Sequence, residues 1–373
     1  MIYFDNAAST PIYDEVNEYM YSIQKEIFGN PSAIHSYGRK AKVEIERSRK
    51  TIAECLKVQA SEIFFTSGGT EANNAILWGC AKDLGRKTFI TSPTEHPCVL
   101  KTLESLVKHL DIDVHFVDVD SSGSIDLEHL RVLLQTHKNA VVSLMHANNE
   151  IGVLLQMEKI SKLCQTYGAL FHSDIVQTAG KYPLDMNKLG VDFAAASAHK
   201  FHGPKGVGFM FVKSSSIFNA FINGGAQERN MRAGTENIAG ICGMTKALEI
   251  SCERFDDNYK LISSLKKDLI YLLQKEIPGI VINGNVADDA SLYTLVNISL
   301  PNNFKSEMLL ANLDIEGVAI SMGSACSSGA NKGSHVLTAI GADPDRPALR
   351  VSFSHINTKS EVEIFVSVLK KFM

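Results

Sequence analysis

The sequence lacks most of the features that would set it apart from an ordinary soluble enzyme. No apolar run approaches the roughly 20 residues a bilayer-spanning helix needs, so no membrane segment is expected. There is no lopsided charge. Lys and Arg number 37 against 41 Asp and Glu, the net charge is −4, and no basic tail offers a footprint for nucleic acid. No two of the seven cysteines form a CxxC pair. An odd, scattered set excludes a disulfide frame and a zinc site and points to a reducing, cytoplasmic compartment. Six of them (Cys55, Cys80, Cys98, Cys164, Cys242, Cys252) sit in apolar or helical patterns and are expected to be buried. Met1–Asp5 lacks a basic stretch followed by an apolar one, so no secretory signal is expected. Repeats and low-complexity tracts are also missing. What is present is a chain of 373 residues, long enough for more than one domain.

The apolar pattern alternates short buried strands with helices. A long helix is expected over 39–56, and Ser9-Thr10-Pro11 reads as a helix entry. Strands follow at 63–65, 88–90, 114–117, 141–145, 170–172, 193–197 and 207–212, with helices starting near Glu71, His96, Leu127 and Glu158. This predicts an α/β fold with a large, mostly parallel sheet. The character changes near Cys252. A helix over 253–277 shows apolar positions at Leu261, Leu265, Leu269 and Leu272 or Leu273. Strands 279–283 and 294–300, a helix 305–315, a Gly/Ser-rich loop 321–333, a strand 348–353 and a helix from Lys359 complete the chain. The expected division is a large domain, 13–252, and a smaller α+β domain, 253–373, joined by residues 1–12.

In parallel sheets ligands bind beyond the carboxyl ends of the strands. The polar clusters of this chain fall there. Ser197-Ala198-His199-Lys200-Phe201-His202-Gly203-Pro204 follows a strand of small apolar residues. A lysine in a loop is ordinarily a solvated charge. Held between a buried strand and a glycine-rich turn it becomes a candidate for Schiff-base chemistry, most familiar with pyridoxal 5'-phosphate (PLP). Ser67-Gly68-Gly69-Thr70-Glu71, between strand and helix, suits a phosphate, although such turns also serve as simple caps. Asp174, at the end of the strand before Ile175, is the candidate carboxylate for a pyridine nitrogen, with Gln177 beside it. His96 is placed to stack on a flat ring, and Asn148 to reach a ring hydroxyl. Cys326 stands among small residues in Gly323-Ser324-Ala325-Cys326-Ser327-Ser328-Gly329, the setting of an exposed, reactive thiol. Arg350, alternating with apolar residues, fits either a substrate carboxylate or an ion pair between domains.

Ten stretches, in order along nearly the whole chain, resemble the cysteine desulfurases of the NifS/IscS type, within the class V aminotransferase group of PLP enzymes. They are YFDNAASTP, NPSAIHSYGR, TSGGTEANN, TEHPCVL, HANNEIGV, HSDIVQTAGK, SAHKFHGPKG, GGAQERNMRAGTEN, GSACSSG and ALRVS. The resemblance implies PLP-dependent fold type I. It implies Lys200 bonded to PLP and moving the Cα proton, with Asp174 on the pyridine nitrogen, His96 over the ring and serving in catalysis, and Asn148 and Gln177 at its hydroxyl. It further implies Gly69, Thr70, Ser197 and His199 at the phosphate, and Thr235 reaching the phosphate of a second subunit in a homodimer. Arg350, with Asn148, would hold the carboxylate of L-cysteine, and Cys326 would take the sulfur as a persulfide, releasing L-alanine. A sulfur-acceptor protein, either an iron–sulfur scaffold or a tRNA-thiolating enzyme, is the implied partner. No metal, direct nucleic-acid binding or membrane contact is implied. Selenocysteine lyase and another class V aminotransferase are the alternatives on the same fold, and the GSACSSG loop argues against both. Two departures stand out: Ile175 replaces a small residue next to Asp174, and Ser352-Phe353-Ser354-His355 replaces a Ser-x-Gly-Arg pattern.

Overall fold

The computed structural model describes residues 1–302, 308–322 and 333–372. Its strands are β1 (Ile2–Tyr3), β2 (Ile63–Thr66), β3 (Thr88–Thr91), β4 (Asp113–Phe116), β5 (Val141–Ser143), β6 (Leu170–Asp174), β7 (Phe193–Ser197), β8 (Gly208–Val212), β9 (Val281–Asn283), β10 (Leu295–Ser299), β11 (Val318–Ala319) and β12 (Ala348–Ser352). Seven of them form one sheet in the order β2-β8-β7-β6-β5-β3-β4. All run the same way except β8, which is antiparallel to both of its neighbours.

The sheet is covered on both faces, which is why its strands are nearly unbroken apolar runs. Along β7, Ala194 and Ala196 join one core with Phe171 and Phe209. Phe193 and Ala195 join the other, with Phe89 and Met210. Helix Ser36–Leu56 and helix Ile238–Glu253 pack over the first face. The second helix buries eleven of its sixteen residues, so it has no polar stripe and no periodicity for the sequence to display.

A separate core forms around the antiparallel sheet β9-β10-β12 and the parallel pair β1-β11. Helix Phe255–Glu276 supplies Ile262, Leu265, Leu269 and Leu273 to it. Leu261, expected on this stripe, is exposed: a step of four residues overshoots a 3.6-residue turn, and Ile262 takes its place. Residues 2–4 belong to this core through Ile2 and Phe4, whereas Tyr13 and Val16 belong to the large one. The segment between crosses from one to the other and lays Ala7 and Ala8 over the strand ends.

The cysteine expectation needs correcting. Cys80, Cys164 and Cys242 are buried, but Cys55 and Cys98 are half-buried and Cys252 is exposed. Cys252 closes the last turn of its helix on the outward side, and Cys98 lies in the first turn of helix Pro97–His109, at a strand end.

The edge of the large sheet is tied down by a buried ion pair. Arg49 Nη1 and Nη2 donate to Glu228 Oε2 and Oε1, both at 2.8 Å, and Phe65 N–H donates to Glu228 Oε2 at 2.8 Å. The guanidinium also lies 4.6 Å from the centre of the Phe65 ring and donates to Ile63 O at 2.7 Å. Removing Glu228 leaves the buried guanidinium with the exposed Glu46, 3.2 Å from its Nε, as its remaining carboxylate among the described residues. Glu228→Gln is therefore expected to destabilise the fold by about 3 kcal/mol, read from the urea midpoint at constant slope. An unchanged midpoint would refute the argument.

Candidate active site

The carboxyl ends of β2, β3, β5, β6 and β7 open into one cleft of about 230 Å³. Gly69, Thr70, His96, Asp174, Gln177, Ser197, His199, Lys200 and Arg350 all line it. Residues that lie up to 281 positions apart in sequence are thus brought together by the sheet. Cys326 lies outside the described residues.

Lys200 ends a short 3₁₀ turn, Ala198–Lys200, directly after β7. Its Nζ donates to Ala7 O at 2.6 Å and Ala8 O at 2.8 Å, so the crossing N-terminal segment aims the amine into the cleft. His199 Nδ1 is 3.4 Å from Ser9 Oγ. Burial, then the neighbouring lysines, lower its pKa to about 4, so at neutral pH it offers a neutral ring rather than a cation.

Asp174 ends β6 and is 6% exposed. Burial raises the proton affinity of its carboxyl. Asn73 Nδ2 donates to Oδ2 at 2.7 Å and Val176 N–H to Oδ1 at 2.9 Å. Asn73 was not singled out from the sequence. Its Oδ1 faces His172 Nε2 at 3.0 Å, and His172 Nδ1 meets Ser143 Oγ at 2.9 Å. His172 is fully buried with its pKa lowered to about 3, so it is neutral. Because the Asn73 amine end faces a carboxylate, its carbonyl must accept the Nε2 proton of His172. A relay of fixed donors thus holds Asp174 in place. The motif TEANN carried Asn73, but nothing in the spacing linked it to His172, 99 residues away.

His96 caps helix Pro97–His109 by accepting Cys98 N–H at Nδ1, 3.1 Å. That bond leaves the proton on Nε2, and burial lowers the ring's pKa despite the nearby Asp174. Beside it Glu95 accepts Met145 N–H at 2.6 Å, and burial pushes its carboxyl well above the ordinary range. His335, from the helix that follows residue 334, places Nε2 2.9 Å from Glu95 O.

Gly68 and Gly69 open helix Gly69–Lys82 at the cleft. A Cβ on Gly69 would stand 2.6 Å from Val176 Cγ2, so only glycine permits this approach. Thr70 and Ser197 line the cleft beside this first turn, whose N–H groups and dipole suit an anion.

Arg350, from β12, is 2% exposed. Nη2 donates to Asp5 Oδ1 at 2.8 Å and Nη1 to Asn149 O at 3.1 Å, while Nε is buried without a partner among the described residues. Its ion pair with Asp5 stays within the small unit, its bond to the Asn149 carbonyl reaches the large one, and the side chain lines the cleft. Asn148 does not line the cleft. Its Oδ1 accepts Glu150 and Ile151 N–H at 2.8 and 2.9 Å, and its Nδ2 donates to Thr94 O at 2.8 Å. The side chain is committed to its own loop, and Asn149 lines the cleft instead. Thr235 is exposed, outside the cleft. Ile175 is fully buried in the large core, because alternation past Asp174 turns it away from the cleft. The His355 ring lies 4.7 Å from His202 and 5.1 Å from Tyr13.

The family model described as class-V aminotransferase matches residues 2–365. The chain belongs to that family. It is 39% identical over 383 residues to a protein of Dictyoglomus turgidum named cysteine desulfurase IscS, covering 100% of this chain and 94% of that one. Among solved structures it is similar to one titled NifS-like protein, with a TM-score of 0.91 and 36% identity over 99% of this chain and 98% of that one. Another, titled SspA in complex with cysteine, gives a TM-score of 0.81 at 30% identity, covering 95% and 99%. The family is PLP-dependent, and the cleft fits that group. Lys200 would offer an amine to the aldehyde, Asp174 a carboxylate to the pyridine N–H, and the Gly69 helix end a place for the phosphate.

Proposed function

We propose that the chain is a cysteine desulfurase that converts L-cysteine to L-alanine and leaves the sulfur as a persulfide on Cys326. One observation carries the reading: Lys200, Asp174 and Arg350 open onto a single cleft. Full-length relatives named cysteine desulfurase, and a neighbour solved with cysteine, support the substrate.

PLP bound at Lys200 supplies an electron sink for the substrate Cα. Asp174 keeps the ring nitrogen protonated, and the Asn73–His172–Ser143 relay holds that carboxylate. Gly69, Thr70, Ser197 and a neutral His199 would hold the phosphate. Gln177 would meet the ring hydroxyl and His96 would lie over the ring, its Nε2–H able to hand a proton on. Arg350, whose Nε has no partner among the described residues, would hold the substrate carboxylate. The Lys200 amine takes the proton from Cα and returns one. The Cys326 thiolate attacks the substrate sulfur, the S–S bond forms as the Cβ–S bond breaks, and the electron pair left on Cβ is protonated to give alanine.

The two separate cores support two domains, 13–252 and 253–373 with residues 1–12. Among the described residues no helix is long and apolar enough to cross a membrane. A cytoplasmic homodimer, with the exposed Thr235 directed at the second subunit's phosphate site, fits this reading. So does transfer of the persulfide sulfur to an iron–sulfur scaffold or a tRNA-thiolating enzyme.

The test is incubation of the PLP-loaded protein with L-cysteine and a thiol reductant. Alanine and sulfide are expected in equal amounts. Consumption of cysteine without alanine, or no reaction, would overturn the assignment.

A further inference from the structure

A second lysine stands behind the cleft. Lys181, at the end of the turn that follows β6, is 9% exposed. Its Nζ donates to Gln177 Oε1 at 3.1 Å. The other end of that amide, Nε2, donates to Ala7 O at 3.0 Å, the carbonyl that also accepts from Lys200 at 2.6 Å. Lys181, Gln177, Ala7 and Lys200 therefore form one chain of hydrogen bonds, which begins in the interior and ends at the reacting amine.

A buried amine held by a neutral amide is costly, since no anion among the described residues balances its charge. The charges that act on Lys181 are Lys200 and Arg350, both cations, and burial brings its pKa down to about 7. Two imidazoles also feel it, those of His199 and His202, and both are neutral at that pH. A purely structural role would be met more cheaply by a methionine.

We propose that Lys181 is a positioning residue for the cofactor pocket: it fixes the Gln177 amide with its N–H end toward Ala7 and the cleft, and it sets a second amine behind Lys200. The inference rests on the reading of Lys200 as the lysine that carries PLP. Lys181 touches neither substrate nor cofactor and acts through Gln177 and through its field. When it is protonated it opposes a second positive charge at Lys200, so it favours the unprotonated form of the Lys200–cofactor link.

The experiment follows the visible absorbance of PLP-loaded protein against pH. In Lys181→Met the midpoint of the spectral change is expected to rise by about one pH unit, the effect of removing one nearby like charge. Lys181→Arg, which keeps a donor and stays charged where Lys181 loses its proton, is expected to hold the midpoint at or below the parent value. If the methionine variant does not fold, Lys181→Gln removes the charge while keeping a donor, and the same rise is expected. A folded Met or Gln variant with the parent midpoint overturns the inference alone. A parent spectrum that persists unchanged in Lys200→Ala overturns the Lys200 reading and this inference with it.

Discussion

Cys326→Ala is expected to stop alanine release from L-cysteine, by about 10³-fold or more, while leaving the spectrum of bound PLP unchanged. The sulfur must leave toward an acceptor, and a thiolate is the acceptor with the right softness. The described part of the cleft holds one other thiol, Cys98, which accepts a hydrogen bond from Asn73 at 3.2 Å. Burial, with the charge of Asp174, pushes that thiol well above its ordinary range. It stays protonated at neutral pH and cannot replace Cys326 as nucleophile. Alanine and PLP absorbance, measured side by side in parent and variant, decide the matter. Equal alanine from both would make the loop thiol incidental and turn the reading toward a lyase, in which the departing atom needs no acceptor.

In Lys200→Ala the loss is expected at an earlier point: no covalent link to PLP, an altered visible spectrum, and turnover lower by about 10⁴-fold or more. Lys200 carries two tasks, attachment and proton transfer, and its position depends on the Ala7 and Ala8 carbonyls. Lys181 cannot take over, because it lies behind Gln177 and is bonded to it. A small primary amine added to the variant is expected to restore part of the proton transfer. Near-parent turnover without that amine would exclude Lys200 from the chemistry.

The place of Lys200 in the cleft was legible from the sequence, and the reason is physical. Strands buried on both faces read as unbroken apolar runs, so β7 was placed at 193–197 from its residues alone, and glycine and proline marked the turn after it. Asp174, His96 and Thr70 were found by the same logic of strand ends. What escaped notice depends on contacts that leave no local trace. Helix Ile238–Glu253 is surrounded by protein and shows no stripe. The Asn73–His172–Ser143 relay joins three strand and helix positions distant in sequence. Asn148 and Asn149 are neighbours in one motif, and only the loop's internal hydrogen bonds decide which faces inward. Lys181 looked like any lysine after a glycine, because burial cannot be read from a single charged residue.

The crossing of residues 5–12 sets an order of events during synthesis. β1 pairs with β11 at Val318 and Ala319, and Asp5 bridges to Ser352 of β12. The carbonyls that aim Lys200 are therefore not in place until almost the entire polypeptide has left the ribosome, although the large sheet is complete by residue 212. Vectorial folding can raise the floor of the pocket early, yet its roof arrives last. The vitamin-derived coenzyme should accordingly be locked in after release of the finished chain, and a truncated translation product should bind it loosely if at all.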